Sequence, residues 1–167
     1  DFFASFFSVA PDDLPYTDIG ERYLEMLSPL VKSRRYFIDK MPMNYAFVGL
    51  IARAIPRARF IHTVRNPLDT CFSNYKQMFG EGYYGYSYKL EELAEHYKLY
   101  RHLMSFWRQQ LPGRMYDLHY EHLVADTETE VRKVLHWLDL EWQPGCLDFH
   151  SHSTAVNTAS LSQVRQP

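Results

Sequence analysis

The sequence predicts an α/β fold in which a central parallel sheet is flanked by helices. Two apolar runs, residues 36–38 and 59–64, read as buried strands. A helical stretch lies between them, and two strands joined through a helix imply a parallel βαβ unit with a right-handed crossover. A long amphipathic stretch, residues 89–111, supplies a covering helix.

Each element has its own warrant. Ile19, Tyr23, Met26, Leu27 and Leu30 follow a helical spacing over residues 18–31, which Pro29 should kink or end. Tyr36-Phe37-Ile38 is the first expected strand, and Asp39-Lys40-Met41-Pro42-Met43-Asn44 the loop after it. The next helix runs from about Asn44 to Ile55 and is closed by Pro56. Arg59-Phe60-Ile61-His62-Thr63-Val64 is the second strand, and a helix opens directly after it, with Asn66 placed to cap and Pro67 suited to its first turn. Residues 80–88, with three glycines and four tyrosines, form a loop whose tyrosines either line a pocket or cover the edge of the core. Leu90, Leu93, Tyr97, Tyr100, Met104, Trp107 and Leu111 are the stripe of the long helix, read as core. Pro112-Gly113 breaks it, and residues 114–120 alternate as a strand. Thr127 and Glu130 fit a capping box ahead of Val131, Val134, Leu135 and Leu138. From Trp142 the pattern is irregular, and residues 154–167 read as loop or short helix.

Composition narrows the function. The 167 residues are 46% hydrophobic and 16% aromatic, enough for a real core and unlike a disordered chain. A net charge of −2 gives no basic field for nucleic acid or an anionic membrane. An anionic ligand therefore needs a local cluster, and Arg53, Arg57, Arg59 and Arg65 are candidates, although each of the first three, taken singly, reads more readily as part of a solvated helix end and loop. Cys71 and Cys146 form neither a disulfide framework nor a metal spacing, and Cys71 reads as a small core residue rather than a nucleophile. No apolar run has transmembrane length and no signal peptide is visible, so the expected compartment is cytoplasmic. The first residue is Asp1 rather than Met, and an upstream targeting segment is compatible with that start.

The densest signal is Arg65-Asn66-Pro67-Leu68-Asp69-Thr70-Cys71-Phe72-Ser73-Asn74-Tyr75. An arginine at a strand's carboxyl end, beside a helix start, is where α/β folds bind anions. Ser73 falls on the helical face of Asn66 and Asp69, so guanidinium and hydroxyl have the spacing to converge on one phosphate. An ordinary strand–helix turn with a surface arginine has the same spacing.

With its context, FIDKMPMNYAFVGLIARAIPRARFIHTVRNPLDTCFSNYKQMF, this segment resembles sulfotransferases that use 3′-phosphoadenosine 5′-phosphosulfate (PAPS). It is most similar to bacterial enzymes often fused to tetratricopeptide repeats, and more distantly to tyrosylprotein sulfotransferases. The resemblance implies a P-loop nucleoside-triphosphate-hydrolase-like fold, PAPS as co-substrate and no metal. It implies a hydroxyl or amine acceptor on a small molecule, glycan or peptide. Arg65 and Ser73 take the positions that hold the ribose 3′-phosphate. Lys40, in Asp39-Lys40-Met41-Pro42, takes that of a lysine near the leaving phosphosulfate, and is otherwise a loop lysine paired with Asp39. Asn44 orients a substrate hydroxyl or caps the next helix. Tyr120, in Tyr120-Glu121-His122-Leu123, takes a nucleotide-contacting position or packs at a strand end. Ser160 and Arg165, in residues 158–167, resemble the loop closing over adenosine.

The chain also departs from the family pattern. Gln77 stands where tyrosylprotein relatives carry a further arginine. No Pro-x-Ser-Gly-Thr phosphosulfate loop precedes Tyr36, no Walker-type loop occurs, and no general base is matched. His119 and His122 read as strand and helix-start residues rather than that base, and His150-Ser151-His152 is half a zinc site without partners. Residues 1–167 are therefore expected to be the central and C-terminal part of a single sulfotransferase domain, inactive as a fragment. A nucleotide or small-molecule kinase, which requires an upstream Walker lysine, and a non-catalytic degenerate domain are the rival readings.

Overall fold

The computed structural model describes residues 2–6, 10–32, 34–77, 79 and 84–148. They fall into two compact units, one of residues 1–60 with 67–115, the other of 61–66 with 116 onward.

The core of the first unit is helical. α1 (Tyr16–Val31) turns Ile19, Gly20 and Tyr23 inward against α2 (Val48–Ala54), which contributes Val48, Ile51, Ala52 and Ala54. Phe3 joins Ile19, Tyr23, Ile51 and Ala54 in one buried cluster. A Cβ on Gly20 would lie 1.9 Å from the Ala54 carbonyl oxygen, so glycine is what lets the two helices approach this closely. Pro29 is accommodated inside the last turn of α1, and the helix stops at Val31, with Lys32 at φ 52 donating its N–H to the Ser28 carbonyl. The helix expected over 44–55 is divided: a 3₁₀ turn at Pro42–Ala46 precedes α2. α3 (Pro67–Lys76) and α4 (Leu90–Gln110) complete this unit, with a 3₁₀ turn at Gly85–Tyr88. Leu93 and Met104 are the buried positions of the α4 stripe, and Gly113, at φ 74, makes the turn beyond it.

Arg114 ties this unit together. Its guanidinium donates to the carbonyls of Ala52 (3.2 Å), Ile55 (3.3 Å) and Ala58 (2.9 Å). These carbonyls belong to the C-terminal end of α2 and the turn after it, and that of Ile55 also accepts the Ala58 N–H.

The sheet is a parallel pair, β1 (Phe60–Val64) and β2 (Met115–His119). This is smaller than the central sheet expected, with two strands among the described residues. Residues 36–38 form no strand: Tyr36, Phe37 and Ile38 are exposed, Ile38 at 90%. Apolar content suggested a strand there, but a strand requires a neighbour to take its N–H and C=O groups. Among the described residues only β1 and β2 pair. The parallel unit therefore spans β1, α3, α4 and β2 rather than the expected 36–38 and 59–64.

In the second unit β2 runs directly into α5 (Tyr120–Ala125), and α6 (Thr127–Trp137) packs against α5. The capping box predicted at Thr127 is displaced by one residue. Asp126 is the N-cap and accepts the Thr129 N–H at 3.1 Å, whereas Thr127 Oγ1 donates back to the Leu123 carbonyl. The carboxylate is a strong cap for exposed amides, and Glu130 pairs with Lys133 instead. Val131, Val134, Leu135 and Leu138 are half-buried as the stripe required, and Trp137 meets Tyr116 at a ring separation of 5.4 Å.

Candidate functional site

The candidate anion site begins where β1 ends. Arg65 and Asn66, both exposed, follow Val64 directly and lead into α3, whose first residue is Pro67 as the sequence predicts. Two consecutive residues at the start of α5 grip this pair. The Arg65 guanidinium lies 5.1 Å from the centroid of the Tyr120 ring. The Asn66 N–H donates to Glu121 Oε1 at 2.8 Å. That hydrogen bond, then one from Glu121's own backbone N–H and the charge of Arg65, holds the Glu121 carboxyl below its ordinary pKa. Arginine stacked on an aromatic face keeps the N–H edges of its plane available for a bidentate acceptor.

Within the same unit, His62 Nδ1 and Asp117 Oδ1 meet at 2.6 Å across the β1–β2 pair. The side chain of His62 is 11% exposed, so the contact is a partly buried cross-strand link. His119 ends β2, His122 lies in α5, and their rings are 5.2 Å apart.

The remaining sequence-predicted residues lie elsewhere. In the first unit, Lys40 is exposed in the segment between α1 and the 3₁₀ turn. Its neighbour Asp39 accepts a hydrogen bond from the buried Tyr23 hydroxyl, so this carboxylate is anchored to the core rather than reserved for Lys40. Burial, then the Asp39 hydrogen bond, pushes the Tyr23 phenol upward in pKa. Asn44 lies in the 3₁₀ turn, where its carbonyl accepts the Phe47 N–H. Ser73 is an exposed residue of α3. Cys71 is half-buried and burial pushes its thiol up, opposite to what activates a nucleophile. Ser160, Arg165 and the His150/His152 pair lie outside the described residues.

Of the described tyrosines of residues 80–88, Tyr84 and Tyr86 pack on aromatic rings, and the exposed Tyr88 donates its hydroxyl to the Phe79 carbonyl. Tyr84 stacks on Phe79 at 4.7 Å and Tyr86 on His96 at 3.5 Å. Tyr45 meets His96 Nε2 at 2.9 Å, and burial holds His96 below its ordinary pKa. Among the described residues, no group of three or more His, Cys, Asp or Glu is arranged to hold a metal ion. No helix among them is long and apolar enough to cross a membrane.

Of the predicted site residues, then, the structure joins Arg65 to Tyr120, while Lys40 and Ser73 stand on separate elements of the first unit. Sequence reading missed Glu121. The signal was present in the acidic residue following Tyr120, but its partner is a backbone amide 55 positions away, which no side-chain motif encodes.

Residues 8–144 match the model of a family described as the sulfotransferase family. A relative from Aquifex aeolicus (strain VF5), an uncharacterized protein, is 34% identical over 149 residues, which are 88% of this chain. The chain spans only 20% of that relative's length.

Proposed function

The chain belongs to the sulfotransferase family, and we propose from this premise that the protein transfers a sulfuryl group from PAPS to a hydroxyl or amine acceptor. The acceptor oxygen or nitrogen attacks sulfur, the bond from sulfur to the bridging 5′-phosphate oxygen breaks, and the acceptor proton is released. Adenosine 3′,5′-bisphosphate leaves. Positioning and charge stabilisation carry such transfers, as in phosphoryl transfer.

Arg65 is the residue on which this reading rests most. An exposed guanidinium beyond a parallel strand, backed by an aromatic ring, suits a phosphate monoester. In this reading Arg65 and Ser73 bind the 3′-phosphate, which sets register and cofactor selectivity. Lys40 offsets charge on the bridging oxygen, Tyr120 supports the nucleotide end of the site, and Ser160 with Arg165 covers adenosine.

The test compares adenosine 3′,5′-bisphosphate with 5′-AMP by calorimetry on the full-length protein. The two ligands differ only in the 3′-phosphate. A charge-assisted hydrogen bond contributes about 1.5–3 kcal/mol, so the bisphosphate is expected to bind at least about tenfold more tightly. Equal affinities sink the proposal.

A further inference from the structure

We infer that Tyr120 and Glu121 form a clasp that presets Arg65 for a phosphate monoester, with Glu121 as a positioning residue rather than a ligand contact. The inference rests on the PAPS reading above and adds a role that reading does not contain. Two consecutive residues at the start of α5 engage the two consecutive residues that directly follow β1. Tyr120 contacts the side chain of Arg65, and Glu121 holds the backbone of Asn66. One contact orients the guanidinium plane; the other fixes the backbone that carries it.

The physical need is entropic. An exposed arginine loses much of its rotamer freedom when it binds an anion. A ring beneath the guanidinium removes part of that cost before the ligand arrives. Glu121 places negative charge close to where a phosphate would sit, which looks counterproductive. Its Oε1 is, however, directed to the Asn66 amide at 2.8 Å, so the carboxylate is spent on backbone geometry. The alternative is that Glu121 imitates the phosphate and competes with it. The two roles predict opposite signs.

The experiment measures the preference for adenosine 3′,5′-bisphosphate over 5′-AMP in the full-length protein and in Glu121→Ala, Glu121→Gln, Tyr120→Phe and Tyr120→Ala. The clasp predicts that Glu121→Ala loses about tenfold of the preference, the equivalent of one net hydrogen bond. Glu121→Gln keeps an acceptor oxygen and should retain the preference within about threefold. Tyr120→Phe should retain it, because the ring does the work, and Tyr120→Ala should not. The Asn66 amide proton resonance should follow a carboxyl titration in the wild type and lose it in Glu121→Gln, a readout that general destabilisation does not mimic. A higher bisphosphate affinity in Glu121→Ala would establish competition and overturn the clasp, as would an unchanged preference or an equal loss in Glu121→Gln. A wild type with no preference sinks the PAPS reading itself, whereas a wild-type preference that survives Glu121→Ala sinks the clasp alone.

Discussion

Arg114 and Arg65 carry the same side chain and have opposite fates. Arg114 precedes β2 and directs its guanidinium at three backbone carbonyls, those of Ala52, Ile55 and Ala58. Arg65 follows β1, is exposed, and lies over the Tyr120 ring. A guanidinium whose donors are consumed by carbonyls is part of the fold. One stacked on an aromatic face retains in-plane donors for a ligand. The difference between an arginine spent on the fold and one left with donors for a ligand is thus read from the acceptors around it, and residue type or proximity to a strand does not reveal it.

The largest expected effect concerns a third cation. Lys40 is exposed while its neighbour Asp39 is anchored to Tyr23, so it resembles Arg65 in being a cation beside a fixed residue. On the proposed sulfuryl transfer, Lys40→Ala in the full-length protein should lower kcat by roughly 10²–10³, the loss typical of one transition-state charge stabiliser. PAPS affinity should change far less. Unchanged kcat would move Lys40 to the side of Arg114, with no part in the chemistry.

The comparison itself breaks if Arg114 and Arg65 variants behave alike. Arg114→Ala should cost about 3 kcal/mol, because it removes charge-assisted hydrogen bonds to three partly buried carbonyls, and should shift the urea midpoint clearly. The nucleotide preference per folded molecule should stay. Arg65→Ala should do the reverse: the midpoint barely moves, and most of the tenfold or greater bisphosphate preference disappears. Ser73→Ala should weaken that preference by less, since one neutral hydroxyl is removed. A Ser73 variant losing more than the Arg65 variant would contradict this division of labour.

These contrasts also mark what was legible in the sequence. Helical periodicity located α1, α4 and α6 to within a few residues, because each buries a stripe that repeats at helical spacing. Pro67 located the start of α3. The run Tyr36-Phe37-Ile38 misled because hydrophobicity reports burial potential, and strand formation depends on a partner that local sequence does not specify. The cap of α6 was misassigned by one position because Asp126 and Thr127 are both good cap residues, and only geometry chooses between them. At the candidate site, Arg65 and Tyr120 were visible as motif residues, whereas the contact between them was not. Glu121 and Arg114 both act on backbone groups distant in sequence, and such contacts leave no side-chain signature.

The smallest effect extends the comparison to two carboxylates. Asp126 and Glu121 are both exposed, and both accept a backbone N–H, Asp126 from Thr129 at 3.1 Å and Glu121 from Asn66 at 2.8 Å. Thr129 is in the helix that Asp126 caps, so this bond is local and serves the fold. Hydrogen bonds from Thr129 hold the Asp126 carboxyl below its ordinary pKa. A depressed folded-state pKa means that Asp126 stabilises the protein fully above the carboxyl's unfolded value. That contribution fades as pH falls through the lower, folded one. Asp126→Ala should therefore lower the melting temperature by a few degrees at most near pH 7. Its difference from wild type should shrink progressively at acidic pH, and the nucleotide preference should be untouched at any pH. Glu121→Ala should invert that pattern, with little thermal effect and a lost preference. If Asp126→Ala also erased the bisphosphate preference, a backbone-bonded carboxylate near α5 would be generally needed for folding, and the distinct role of Glu121 would dissolve.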